Sequence, residues 1–236
     1  MPGASEAGIE AVVFDVLGTM VDESGGLRAA IVEAVSASGE APGESTVDHL
    51  LTEWYAHVDG EQRRMGEGGR AYANSEVIDR EAAEHVAALA GLTDPAAVER
   101  LARAAERLDP WDDSVAGLAR LARDFPVLGL SHASRRTLLR LNAHTGLRWH
   151  QALSAEDARA HKPAPEVYRL AIEAAGCPPE RVVMVAAHAW DLRGARAAGM
   201  RTAYVQRPVG DPPRSTDRFD WRAESLEELA AALPLP

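Results

Sequence analysis

The sequence predicts an α/β fold: a central parallel sheet with helices on both faces, interrupted by an inserted helical subdomain. Three observations carry that prediction. A β-branched, apolar run, IEAVVFDVL, spans Ile9–Leu17 and suits a buried strand. From Gly26 to about Asp109 the chain is rich in Ala, Glu and Arg and holds no strand-like run. From Asp112 onward short apolar runs alternate with helical patterns, the spacing of parallel strands joined by crossover helices. The expected division is a core of residues 1–20 and 110–236, with residues 21–109 inserted after the first strand.

The elements follow in order. Helices are expected over Leu27–Ser38, Thr46–Val58, Ser75–Ala90 and Ala96–Leu108, with a turn at Gly66-Glu-Gly-Gly69 between the second and third. Asp94-Pro95 is a good start for the last of these, Asp as cap and Pro at the first helical position. A helix at Ser114–Arg123 leads to a strand at Pro126–Ser131, then a helix over Arg135–Thr145 and a short strand near Ala152-Leu153. Glu166–Ala175 is helical, Arg181–Ala186 is the strongest strand signal, Leu192–Ala198 is helical, Thr202–Val205 a strand and Leu226–Ala232 a terminal helix. Polar residues at the carboxyl ends of such strands converge on one edge, where open parallel sheets bind ligands.

Composition narrows the function. The 236 residues suit one domain, or a core with one inserted subdomain, and 46% hydrophobic against 26% charged residues is globular rather than disordered. A net charge of −11 argues against nucleic acid and anionic membranes as partners, since both call for a dense positive surface. Cys177 is the single cysteine, which excludes an internal disulfide and a cysteine metal cluster and fits a reducing compartment. The stretch MPGASEAGIE lacks the basic patch and apolar run of a secretory signal, so the cytoplasm is the expectation.

Residues suited to chemistry stand at the strand ends. Asp15 follows an apolar run and precedes Gly18-Thr19; it reads as a loop cap or as a carboxylate nucleophile. Of the 25 basic residues only Lys162 is a lysine. A compact ammonium cannot be exchanged for a guanidinium fork in a tight site, so Lys162 is either a stray surface residue or a partner for carboxylates. Asp191 reads as a helix cap or a site residue, and Trp190 as packing or part of an apolar pocket. The other histidines, His49, His57, His85, His144 and His150 among them, show no metal-ligand spacing.

Four segments together resemble the motifs of the haloacid dehalogenase superfamily, in the right order: Phe14-Asp15-Val-Leu-Gly18-Thr19, Leu130-Ser131-His132-Ala-Ser134, Lys162-Pro163-Ala-Pro-Glu-Val-Tyr168 and Ala187-His188-Ala-Trp190-Asp191. The resemblance implies a Rossmann-like core under a helical cap. Phosphatases of that superfamily place a second aspartate two residues after the nucleophile and a magnesium-binding acid about five before the final aspartate. Here those positions hold Leu17 and Ala186, neither able to donate a proton or offer magnesium an oxygen. A magnesium-dependent phosphatase is thereby disfavoured.

What remains is similar to the type II, L-2-haloacid dehalogenase branch, which implies no cofactor and no metal. Its substrates would be a small halogenated carboxylic acid and water; a hydrolase acting on some other small carboxylate is the alternative. By resemblance Asp15 attacks the α carbon and Thr19 orients it. Lys162 neutralises Asp15 and Asp191 and supports Tyr168, and Asp191 positions or deprotonates the hydrolytic water. Ser131 and nearby backbone N–H groups hold the substrate carboxylate, with Leu17, Tyr168 and Trp190 around the substrate. The branch carries asparagines where this chain has His132 and His188, and a serine where Ala186 and Ala187 stand. His132 is thus a candidate for carboxylate binding and His188 for orienting or activating water beside Asp191, each alternatively satisfying a loop. The branch's halide-binding cap arginine falls at Tyr55 in this register, with Arg28, Arg63, Arg64 and Arg70 as substitutes. Members of the branch commonly dimerise, so a homodimer is expected, with apolar patches near Trp111 and Trp149 as its surface.

Overall fold

The computed structural model describes residues 8–37, 39 and 41–235. Six strands, β1 (Ala11–Asp15), β2 (Val127–Ser131), β3 (Gln151–Ser154), β4 (Val182–Ala186), β5 (Arg201–Val205) and β6 (Trp221–Ala223), form one sheet in the order β3-β2-β1-β4-β5-β6. Every neighbouring pair is parallel. β1 lies between β2 and β4, with Asp15 opposite Leu130 and Phe14 opposite Val185, so the carboxyl ends of the three most central strands open on one edge.

Between β1 and β2 run α1 (Glu23–Ser36), α2 (Glu44–Gly66), α3 (Ser75–Ala90), α4 (Pro95–Ala102) and α5 (Ser114–Leu121). The remaining crossovers and the chain end supply α6 (Arg135–Thr145), α7 (Pro165–Ala175), α8 (Ala189–Ala197) and α9 (Leu226–Ala232). Successive side chains of a strand point to opposite faces, and β1 follows that rule. Val12 and Phe14 pack with Leu118 and Leu121 of α5, Leu138 and Leu141 of α6, and Leu226 and Leu229 of α9. Ala11 and Val13 pack with Val167, Tyr168 and Ala171 of α7 and with Leu192 and Ala195 of α8. Asp15 continues the second series and so points toward the α7–α8 face. Each fully buried aliphatic or aromatic side chain in these layers stabilises the fold by about 1.5–3 kcal/mol.

The helices α1–α4 bury a cluster of their own. Leu27, Ile31 and Ala34 recur at helical spacing on α1 and meet Val47, Leu50, Leu51 and Trp54 of α2, Ala82, Ala83 and Val86 of α3, and Ala97 and Leu101 of α4. The chain leaves and re-enters the sheet side by side: Val21 bridges Pro110, and the Asp22 N–H donates to the Asp109 carbonyl at 2.8 Å.

Several boundaries differ from the expected ones. α1 begins four residues earlier because the Asp22 side chain accepts the Gly25 N–H and caps it; the predicted end at Ser38 lies outside the described residues. α2 runs eight residues past Val58 to Gly66, its interior Gly60 tolerated. The expected helix to Leu108 ends at Ala102 and continues as a tight 3₁₀ turn at Ala104–Arg107. α8 starts at Ala189 rather than Leu192. β6 was not foreseen. Trp111 and Trp149, expected to form surface patches, turn inward: the Trp111 indole N–H donates to the Gly18 carbonyl at 3.1 Å, and Trp149 packs on Phe14 with ring centroids 5.7 Å apart. No helix among the described residues is long and apolar enough to cross a membrane.

Candidate active site

Asp15, at the carboxyl end of β1, is the centre of a buried polar cluster. Thr19 Oγ1 donates to Asp15 Oδ2 at 2.7 Å and accepts the Ala187 N–H at 2.9 Å. Because the threonine oxygen already receives a backbone proton, its own proton is committed to Asp15. Lys162 Nζ donates to Asp15 Oδ1 at 2.8 Å and to Asp191 Oδ2 at 2.7 Å. Tyr168 closes the set by donating to Asp191 Oδ1 at 2.7 Å. Lys162 therefore belongs to the site and not to the surface, its side chain 1% exposed.

Burial pushes the Asp15 carboxyl up, but the charges of Lys162 and His188 and the hydrogen bonds from Lys162 and Thr19 outweigh it, holding Asp15 below its usual range. Asp191 stays above its usual range, since burial and the Asp15 charge together exceed what Lys162 and Tyr168 return. Burial alone would lower Lys162, yet the two carboxylates raise it. Asp15 is the more acidic of the two carboxyls, with one donor on each oxygen and the remaining lone pairs free.

A cavity of about 270 Å³ opens on Asp15, with Leu17, Trp54, Tyr55, His132, His188 and Trp190 in its wall. The Gly18 φ of +77° allows the chain to turn there, and a side chain at Gly18 would stand 2.5 Å from His188 Nε2, so the imidazole lies directly on the glycine. His132 Nε2 accepts the Lys162 backbone N–H at 2.8 Å. Burial, then the neighbouring Lys162 charge, lower its pKa to about 3; His132 is neutral, with Nδ1–H its remaining donor. The rings of His132 and His188 both stack on Trp190, at 6.1 and 6.0 Å. A wider cleft of about 800 Å³ adjoins, sharing Asp59, Gln62 and Trp190 with the reaction cavity and bounded by Arg63, Tyr72 and Arg159.

Five expected residues are near the cavity without lining it, of which Thr19 and Lys162 are bonded to Asp15. Ser131 is buried and its hydroxyl accepts the Ala133 N–H at 3.1 Å; Ala133, not Ser131, reaches the wall. Tyr168 bonds to Asp191 and Asp191 to Lys162, so Asp191 is fully enclosed with both oxygens engaged. None of the four arginines considered for the halide lines the cavity. Arg28 pairs with Asp48, Arg64 with Glu61, and Arg70 with Glu61 and Glu81, while Arg63 borders the adjoining cleft.

Sequence reasoning missed the carboxyls opposite Asp15, namely Glu23, Asp59 and Asp79, because acidic residues in a helical block read as a solvated face. It also missed Arg207, whose Nε donates to the Thr19 carbonyl at 2.8 Å and whose guanidinium pairs with Asp113 at 2.8 Å. Asp211 was missed as well. Its carbonyl accepts the Ala189 N–H at 2.9 Å and its Oδ2 the Trp190 N–H at 3.0 Å, so it caps α8 in place of His188, whose side chain makes no capping bond.

A family model described as haloacid dehalogenase-like hydrolase matches residues 9–199. The chain belongs to that family. Among haloacid dehalogenase relatives, (S)-2-haloacid dehalogenase H-109 of Pseudomonas putida is 29% identical over 203 residues, 84% of this chain and 86% of its own. The solved L-2-haloacid dehalogenase PA0810 is 30% identical with a TM-score of 0.84, covering 96% of this chain and 99% of that one. The defluorinating L-2-haloacid dehalogenase Rha0230 is 28% identical with a TM-score of 0.86, covering 99% of each chain.

Proposed function

We propose that this chain is an (S)-2-haloacid dehalogenase that hydrolyses short 2-haloalkanoic acids or haloacetates to 2-hydroxy acids without a metal. One observation carries the reading: an ionised Asp15 held between Thr19 and Lys162 in the wall of a small cavity that Leu17, Leu27, Trp54, Val58, Leu108 and Trp190 also line. Leu17 and Ala186 offer neither a leaving-group acid nor a magnesium ligand. The relatives named (S)-2- and L-2-haloacid dehalogenases support the substrate class.

Asp15 attacks the α carbon, forming a C–O bond as the carbon–halogen bond breaks and its electron pair leaves on the halide. Water then adds to the Asp15 carboxyl carbon and the ester C–O pair passes to the product, regenerating Asp15. Fixing the carboxylate by two donors removes its orientational freedom before reaction, and the apolar wall limits the water that would otherwise solvate it. Asp191, itself fixed by Tyr168, holds the ammonium that orients Asp15. His188, in the cavity wall beside Asp15, orients or activates the second-step water, and His132 donates from Nδ1–H to the substrate carboxylate. Residues 21–109 serve as the cap over a core of residues 1–20 and 110–236.

The test is halide release from fluoro-, chloro- and bromoacetate and from both enantiomers of 2-chloropropionate, in EDTA, beside a phosphatase screen with magnesium. Release that survives EDTA, favours the (S) enantiomer and vanishes in Asp15→Asn is expected. Phosphate release without halide release would overturn the reading.

A further inference from the structure

Glu23, the first residue of α1, lines the same cavity as Asp15 and His188. Among the described residues no side chain pairs with its carboxyl or donates to it. Leu27, Trp54, Val58 and Leu108 are apolar members of the same wall, and an unpaired carboxylate shielded from water sheds its charge by taking up a proton. The titratable groups of the same wall come from every element around it: Asp15 after β1, Tyr55 and Asp59 on α2, Asp79 on α3, His132 after β2 and His188 before α8. Three are carboxyls and none is an arginine or lysine. Burial lifts the Glu23 pKa to about 7 against the pull of His188, with Asp15 and Asp59 pushing the same way as burial. A bound haloacid adds another negative charge and favours the neutral form further.

Resting on the dehalogenase reading above, we propose that Glu23, as a carboxylic acid, donates a hydrogen bond to the departing halogen, the place where this cavity has no arginine. As Asp15 oxygen bonds to the α carbon, the carbon–halogen electron pair moves onto the halogen and the Glu23 O–H stabilises that charge. With fluoride, the most basic of the halides and the strongest hydrogen-bond acceptor among them, this bond counts most; Glu23 is a weaker acid than hydrogen fluoride, so the proton stays on its carboxyl and fluoride leaves as the hydrogen-bonded anion. Bromide, a very weak base, draws on the donor least. The acid acts at a position where charge develops in the transition state, the geometry in which one donor matters most.

The experiment compares Glu23→Leu, which removes the donor, with Glu23→Gln, which keeps an N–H donor that does not titrate. Single-turnover fluoride release from fluoroacetate and bromide release from bromoacetate are followed from pH 5.5 to 8.5, with thermal unfolding of each variant alongside. Loss of the donor is expected to slow fluoride release by about 10²–10³-fold and bromide release by much less. In the wild type, fluoride release falls as pH rises past neutrality while bromide release stays flatter. Glu23→Gln, intermediate in rate, loses that falling limb, and its pH profile decides the matter if the leucine variant does not fold. Equal slowing of both halides, no slowing of either, or an unchanged pH limb in Glu23→Gln would overturn the proposal while leaving Asp15-dependent dehalogenation intact. Absence of halide release from the wild type would overturn the dehalogenase reading and this proposal with it.

Discussion

Replacing Lys162 by methionine keeps most of the stem and removes the ammonium between Asp15 and Asp191. The two ion pairs that this breaks are 2.8 and 2.7 Å long, in a site where the three side chains are 1%, 9% and 0% exposed. Removing one partner from a buried ion pair costs about 3–5 kcal/mol because a charge is left unpaired. Asp191, already above its usual range, limits that cost by taking up a proton, so the lower end of the range, about 3 kcal/mol, is expected near pH 7.5. At about 2–4 °C per kcal/mol for a chain of this size, the melting temperature falls by roughly 6–12 °C.

The pH dependence follows from the direction of each shift. Lys162 is raised in the folded state, so its contribution is complete below its ordinary value of 10.5 and is lost only as pH rises through the folded value. Asp15 is lowered, so its contribution is present above its ordinary value of 3.8 and is lost as pH falls through the folded value. The wild-type pairing thus spans the window between those values. In the variant the uncompensated carboxylates protonate more readily at lower pH, so the destabilisation shrinks between pH 7.5 and 5. Calorimetry of wild type, Lys162→Met and Lys162→Met/Asp15→Asn at both pH values checks this, with the double variant recovering stability but not halide release. A melting temperature unchanged by Lys162→Met, or an equal loss at both pH values, would refute the reasoning.

Thr19→Val strands the Ala187 N–H and removes a donor from Asp15, which predicts a loss of about 1–3 kcal/mol and slower alkylation, while Thr19→Ser restores most of both in unfolding and single-turnover measurements. Gly18→Ala places a Cβ at φ +77° and 2.5 Å from His188 Nε2; backbone strain of about 1–2 kcal/mol and a displaced imidazole are expected, read as a lower melting temperature together with slower turnover. His188→Asn should slow hydrolysis of the ester much more than its formation, so a burst of halide followed by a slow steady state is expected; unchanged rates in both phases would remove His188 from the second step.

The sheet and the Asp15–Lys162–Asp191 set were legible because each rests on a strong local signal. Val-Val-Phe-Asp and Val-Val-Met-Val-Ala are unmistakable buried strands, and one lysine in an arginine-rich chain needs a reason of its own. β6 escaped notice because Trp221-Arg-Ala223 is three residues long and is a strand only by pairing with β5. The length of α2 was underread at Val58, and the missing turns are those that bring Asp59 and Gln62 to the cavity. Glu23 and Asp79 carry no local mark at all. Their significance is tertiary, created when α1 and α3 close over Asp15, just as the Ser131 hydroxyl is turned away from the cavity by a bond to a backbone two residues on.

The capping of α8 has a consequence for what His188 is free to do. The residue just before a helix ordinarily spends its side chain on the exposed N–H groups of the first turn. Here Asp211, arriving from the loop beyond β5, supplies both a carbonyl and a carboxylate to that turn. The imidazole is released from structural service and can face Asp15 instead. If His188 serves the second step as proposed, a change at Asp211, more than twenty positions away in the chain, is expected to slow turnover as a change at His188 would.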